Sequence, residues 1–202
     1  MTWWERPLLH ALCVSQDVRA INCLLAHHEV DVDRREFTLL RTALHESTLS
    51  LHVEVVTTLL RHCADANARD VLGMSPLHML CRSAMIEYKP SHRAITEALV
   101  SYGADMWQRC CHGLHAVDVS LMAPDARMFE ALHSCGMDLH AALRLALRSD
   151  HAPCISYALQ FINPNTLRIG DDTALEYATR HGCTPGTIRL VMQMKSKWAN
   201  TR

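Results

Sequence analysis

TALHESTLSLHVEVVTTLLRHCADANARDVLGMSPLHMLC, residues 42 to 81, holds one pattern twice. Thr42-Ala43-Leu44-His45 opens the first copy, and Ser75-Pro76-Leu77-His78 opens the second 33 residues later. Ser75 can accept from a backbone N–H as a helix N-cap, and Pro76 suits the first helical position because it has no N–H to leave unpaired. Both marks therefore predict the start of a helix. Between them, HVEVVTTLL (52–60) places Val53, Val55, Val56, Leu59 and Leu60 at helical spacing, which predicts an amphipathic second helix. RHCADANARDVLG (61–73) then supplies the Asp, Asn and Gly of a turn-rich connector.

Working outward, histidine follows leucine at Leu9-His10, Leu44-His45, Leu77-His78 and Leu114-His115, at intervals of 35, 33 and 37 residues. Near-constant spacing of this size marks an array whose units cannot bury an apolar face alone and stack to form a continuous core. In such an array a first-turn histidine is buried and must be paired, either to the capping hydroxyl or to a neighbouring connector. Catalysis would not need four copies.

These residues resemble the ankyrin repeat family. Ser75-Pro76-Leu77-His78 matches its T-P-L-H helix start, and Ala64-Asp65-Ala66-Asn67 matches the G-A-D-V-N that closes its second helix. The resemblance implies an all-α solenoid of stacked helix-turn-helix units with short hairpin-like connectors, forming one domain over residues 1–202. Six repeats are expected, at about 5–36, 37–69, 70–106, 107–139, 140–167 and 168–202, the last two on register alone from Ala142-Leu143-Arg144 and Ala174-Leu175-Glu176. Trp3 and Trp4 at one end, and Met192 to Trp198 at the other, are expected to cap the core, with exposed binding anchors as the alternative for the two tryptophans. The pattern is interrupted in places. Residues 84–90 are inserted between the helices of repeat three, about three residues are added near Ala123-Pro124, the connector after Asp105 reads as shortened, and Asp138 to Arg144 leaves no room for a hairpin.

Totals narrow the function. Of 202 residues, 49% are hydrophobic and 20% charged, the composition of a folded chain. A formal charge of −1 offers phosphate backbones and anionic membranes no strong attraction, so nucleic acid and membrane insertion are not expected. No apolar run approaches the ~20 residues that cross a bilayer. The opening MTWWERPLLHALCV lacks a secretory pattern, and an intracellular location, cytoplasmic or nuclear, is expected. Nine scattered cysteines read as free thiols rather than a disulfide framework.

Catalytic signals are absent: there is no phosphate loop, G-x-S-x-G or H-E-x-x-H, each cysteine and histidine can be assigned to a repeat position, and no enzyme activity or cofactor is expected. Cys110, Cys111 and His112 form the most metal-like cluster, and a zinc- or redox-responsive regulator built on them is the alternative reading, although adjacent cysteines without a second close pair fit tetrahedral zinc poorly. Arg34-Arg35 is a candidate charged contact.

The family resemblance implies a protein partner held on the concave face and the connector tips. Carried onto this sequence, it selects Arg35 and Phe37 in a connector one residue longer than the family's, and Leu49 and Ser50 in the same repeat. It also selects Val71, Leu72, Met74, Arg82 and Ser83 in repeat three, Trp107 and Arg109 in repeat four, and Arg148 and Ser149 in repeat five. Phe37, Leu72, Met74 and Trp107 would form an apolar strip edged by arginine, with Trp107 and Met74 as the main anchors. LLRHCADAN (59–67) also resembles the motif accepted by the oxygen-sensing asparaginyl hydroxylase, which makes Asn67 a candidate for hydroxylation. Service as a substrate-recruiting subunit of a ubiquitin ligase, or as a subunit of a larger assembly joined near 138–142, are further alternatives.

Overall fold

The computed structural model describes residues 7–27 and 30–199, so Trp3 and Trp4 lie outside the described residues. The chain divides after Ser120 into two compact units. In the first, α1 (Leu8–Ser15), α3 (Ala43–Leu49), α5 (Pro76–Ala84) and α7 (Ala116–Ser120) pack side by side in one row, and α2 (Val18–Leu25), α4 (Val53–Arg61) and α6 (Pro90–Ser101) in another. The predicted second helix is α4, whose Val55, Val56, Leu59 and Leu60 are buried. Burying each such side chain contributes about 1.5–3 kcal/mol, and Leu44, Leu77, Leu80, Cys81, Ile95 and Leu99 complete the core between the rows.

Three histidines stitch the first row. His45 Nδ1 accepts the Thr42 N–H at 3.2 Å, and His78 Nδ1 accepts the Ser75 N–H at 3.2 Å. That assignment leaves each Nε2 as the donor: His45 to the Met74 carbonyl at 3.1 Å and His78 to the Leu114 carbonyl at 3.1 Å. His10 Nε2 reaches the Arg41 carbonyl at 2.9 Å in the same manner. Each acceptor is the residue immediately before the next helix cap, so His45 and His78 each close their own helix N-terminus and tie down the next, while His10 makes the second tie.

This relay corrects the register of repeat four. His115 does not stand where His78 stands; it occupies the cap position just before α7, and Asp118 stands three residues on, where the histidine would be. Asp118 Oδ2 accepts the His115 N–H at 2.8 Å and meets His115 Nδ1 at 2.7 Å. A carboxylate has no proton to pass onward, so the relay ends there. Leucine before histidine at 114–115 is thus coincidental, and the connector after Asp105 is full length, its Cys110 N–H bonding the Leu114 carbonyl at 2.9 Å as Asp70 N–H bonds Met74 at 3.0 Å.

Repeat three absorbs its insertion by starting α6 at Pro90, with Ile86 left 92% exposed on the intervening turn. His92 Nδ1 takes the Lys89 N–H at 2.9 Å and its Nε2 meets Ser83 Oγ at 2.9 Å, which pins the inserted segment back on α5.

In the second unit, α8 (Arg127–Ser134) is followed by α9 (Leu139–Arg148), α10 (Ala152–Ala158), an antiparallel hairpin of β1 (Arg168–Ile169) and β2 (Asp172–Thr173), α11 (Ala174–Arg180) and α12 (Pro185–Ala199). Asp138 caps α9 directly, accepting the His140 N–H at 2.9 Å, and no hairpin separates α8 from α9, as the short spacing predicts. The Ala142-Leu143-Arg144 mark falls inside α9, which begins three residues earlier. Thr173 and Glu176 form a capping box at the sixth mark, the carboxylate taking the histidine's local role. At the C-terminal end Val191 is buried and the Trp198 indole donates to the Leu159 carbonyl at 3.1 Å.

Candidate protein-interaction surface

Three connectors rise between the helix pairs of the first unit, and successive ones are bonded to each other. At their base, Asp33 accepts the Asp65 N–H at 3.0 Å; one repeat on, the Asn67 amide donates to the Gly103 carbonyl at 2.8 Å and accepts the Asp105 N–H at 2.7 Å. At their tips, the Val71 N–H bonds the Leu39 carbonyl at 2.8 Å and the Cys111 N–H bonds the Leu72 carbonyl at 2.9 Å. Between base and tip, Arg35 donates to the Arg69 carbonyl at 2.9 Å and Arg69 to the Arg109 carbonyl at 3.0 Å. Arg109 turns back to the Gly113 carbonyl of its own hairpin at 2.9 Å. The result is a row of tips held in fixed register.

Carboxylates shape the first two tips from inside. Burial pushes the Glu36 carboxyl up, but bonds from Thr38, Leu39 and Arg41 outweigh it and hold its pKa below the usual range. Asp70 Oδ1 accepts the Leu72 and Met74 N–H groups, both at 2.9 Å, and its other oxygen lies 3.8 Å from Arg41 Nε. At the corresponding places one repeat on, Met74 replaces Arg41 and Cys110 replaces Asp70, and these two pack together with Met79 and Leu114. An ionic contact between neighbouring connectors is thereby exchanged for an apolar one.

This exchange decides where Met74 points. Met74 is 7% exposed and belongs to that cluster, so its expected place on the surface strip is corrected: its side chain faces the core while its backbone serves His45 and Asp70. Trp107 is half-buried, its ring set edge-on to His115 at 5.5 Å. Phe37 is 73% exposed, and Val71, Leu72 and Leu49 also face outward. Leu39 and Leu40, missed in the sequence, join them because Glu36 gathers the Thr38 and Leu39 N–H groups into a longer loop that turns through Leu40 at φ 55°. Arg35 and Arg109 are exposed members of the arginine ladder; Arg69, also missed, links them, and its place 34 residues after Arg35 and 40 before Arg109 was the available signal.

Of the remaining candidates, Ser50 and Arg82 are exposed at the ends of α3 and α5, and Arg148 and Ser149 at the end of α9 in the other compact unit. Ser83 is instead a structural residue, its hydroxyl donating to the Leu80 carbonyl at 2.8 Å and facing His92. Cys110, Cys111 and His112 do not converge, because Cys110 points into the core while Cys111 and His112 lie outside; among the described residues no group of three His, Cys, Asp or Glu side chains is placed to hold a metal. Burial pushes the Cys13 and Cys154 thiols to about 12 and Cys81 higher, which deprives them of the thiolate that redox chemistry uses.

Residues 6–110 match the family described as ankyrin repeats in three copies. Protein phosphatase 1 regulatory subunit 27 of Homo sapiens and of Mus musculus is 38% identical over 63 residues, 31% of this chain, and the match spans 36% of the length of each relative. Among solved structures, the ankyrin repeat domain of Bcl-3, a member of the IkappaB protein family, superposes with a TM-score of 0.72 at 22% identity, covering 94% of this chain and 86% of that one. An ankyrin repeat domain from Acinetobacter baumannii AYE gives 0.65 at 21% identity, covering 92% and 96%. At these identities the two structures speak for the fold. No helix among the described residues is long and apolar enough to cross a membrane.

Proposed function

We propose, on the premise that this chain belongs to the ankyrin repeat family, that it is a non-catalytic module binding a protein partner through its connector tips and the adjoining helix ends. The observation that carries the reading is the row of outward apolar side chains, Phe37, Leu39, Leu40, Val71 and Leu72, on tips already bonded to one another. Apolar area ordered before binding loses little conformational entropy when a partner arrives. The likeness to a phosphatase regulatory subunit supports action through binding to another protein rather than through chemistry of its own. All six repeats, residues 1–202, would act as a single array within the cell.

The test is affinity capture with the full chain and with a Phe37→Ser, Leu72→Ser variant whose helix content and melting are unchanged. A partner set retained by the original chain and lost by the variant supports the reading; the same set on both removes it. We also carry forward Asn67 as a hydroxylation substrate. A modifying enzyme would first have to part its amide from Gly103 and Asp105. An intact mass without an added oxygen atom after co-expression with the asparaginyl hydroxylase would withdraw it.

A further inference from the structure

The charge on the connector tips is one-sided. Arg34, Arg35, Arg69 and Arg109 are all exposed there, one or two to each connector. The acidic residues on the same stretches, Glu36 and Asp70, are buried and committed to backbone N–H groups within their own hairpins. Exposed aspartates such as Asp65 and Asp105 sit lower, at the connector bases. Among the described residues none of the four arginines makes an ion pair within 4.0 Å, although Arg35 acts on Asp33 through space. The whole-chain charge of −1 conceals this local excess.

Three of these guanidinium groups are also positioned in advance. Arg35, Arg69 and Arg109 each spend an N–H on a backbone carbonyl, which fixes the side chain without neutralising it. A guanidinium has five N–H donors in a rigid fork, so most of its capacity remains for a planar acceptor such as a carboxylate. In the same connectors, two residues after Arg35 and two and three after Arg69, stand the exposed apolar side chains of Phe37, Val71 and Leu72.

From this juxtaposition we infer that the tips recognise an extended protein segment in which carboxylates are interspersed with apolar side chains. The inference rests on the tips being a protein-binding face and names the chemistry of the partner. The carboxylates meet the arginine ladder and the apolar side chains cover the tips. A nucleic acid fits less well, because it would leave that apolar row uncovered and meets no favourable overall charge.

The experiment pans a random-peptide phage library on the immobilised full chain. Enriched peptides are then synthesised and measured by fluorescence anisotropy at low and at raised salt, alongside a mixed-sequence single-stranded DNA and a duplex. The expected result is enrichment of Asp or Glu near Leu, Ile or Phe. Changing the peptide acids to Asn and Gln should weaken binding about tenfold, as should raised salt or an Arg34→Glu, Arg69→Gln variant. Arg34→Glu alone, at an exposed position outside the ladder, gives a smaller loss in the same direction and guards against misfolding of the double variant. Peptides that tolerate the amide exchange yet lose binding to the Phe37→Ser, Leu72→Ser variant overturn the acidic partner and leave the protein-binding reading standing. No enrichment, or peptides indifferent to every variant, overturn both. DNA that binds more tightly than any selected peptide, and is released by Arg34→Glu, overturns the inference in favour of nucleic acid.

Discussion

Cys63 ends α4 with φ 63°, and one repeat later the same place at the end of α6 is Gly103 with φ 86°. Both follow one closing geometry, in which the next residue's N–H bonds a carbonyl five residues back, Ala64 to Leu59 at 3.1 Å and Ala104 to Leu99 at 3.0 Å. A side chain in the left-handed region costs about 1–2 kcal/mol, of which glycine's greater freedom when unfolded gives back roughly half. Cys63 is exposed. Cys63→Gly should therefore raise stability by about 0.5–1 kcal/mol, read as a shift of the denaturant midpoint at unchanged slope. Glycine cannot be replaced so freely at Gly73, where φ is 67° and a Cβ would stand 2.6 Å from the Arg69 guanidinium and 3.1 Å from the Cys111 amide nitrogen. That close approach is what lets the second and third tips bond.

At the scale of the element, a connector is stable because its neighbours complete it. Its own turn supplies the hydrogen bonds around Asp65 and Asp70, and others cross to the neighbouring repeats through Asn67, through the arginine ladder and through the tip backbones. Asn67→Ala removes the acceptor of Asp105 N–H and the donor to the Gly103 carbonyl, at a cost of about 1–3 kcal/mol. Because no helix residue is touched, amide exchange should quicken first at Asp105 and in the flanking connectors, with α4 and α6 protected until global unfolding; uniform quickening across those helices would contradict this account. The exchange of Arg41 and Asp70 for Met74 and Cys110 belongs to the same scale, since each pair joins neighbouring connectors.

For the whole molecule, the histidine relay makes stability depend on pH. Burial lowers the pKa values of His45, His78 and His92 below their ordinary 6.5, against smaller opposing effects from their backbone bonds. Protonating Nδ1 of His45 or His78 would place a proton against the capping N–H it now accepts. As pH falls through about 6.5 the unfolded chain takes up these protons first, so the folded state loses relative stability, by up to ~1.4 kcal/mol per pH unit for each such histidine, down to the folded-state values. Above that range the contribution is fully present. Denaturant midpoints should be flat with respect to histidine above neutrality and decline below it, and His78→Gln should make the decline shallower; a flat profile down to pH 5 would exclude the mechanism. The sequence by itself determined the helical repeat, the helix start at Thr42, the N-cap at Ser75, the amphipathic face of α4 and the structural role of His78, because spacing, capping and periodicity are local properties of the chain. It also marked the missing hairpin after Asp138, where the chain is too short for another outcome. Only the tertiary structure decided that His115 is a cap and Asp118 the end of the relay, that Met74 turns inward, and that Arg69 joins Arg35 to Arg109. His115 and Asp118 are only three residues apart, but Leu114-His115 imitates the helix mark and hides their roles. Met74 and Arg69 depend on what stands one repeat away, since a partner roughly 33 to 40 residues distant leaves no local pattern and the direction of a connector side chain is fixed only when its neighbour is in place.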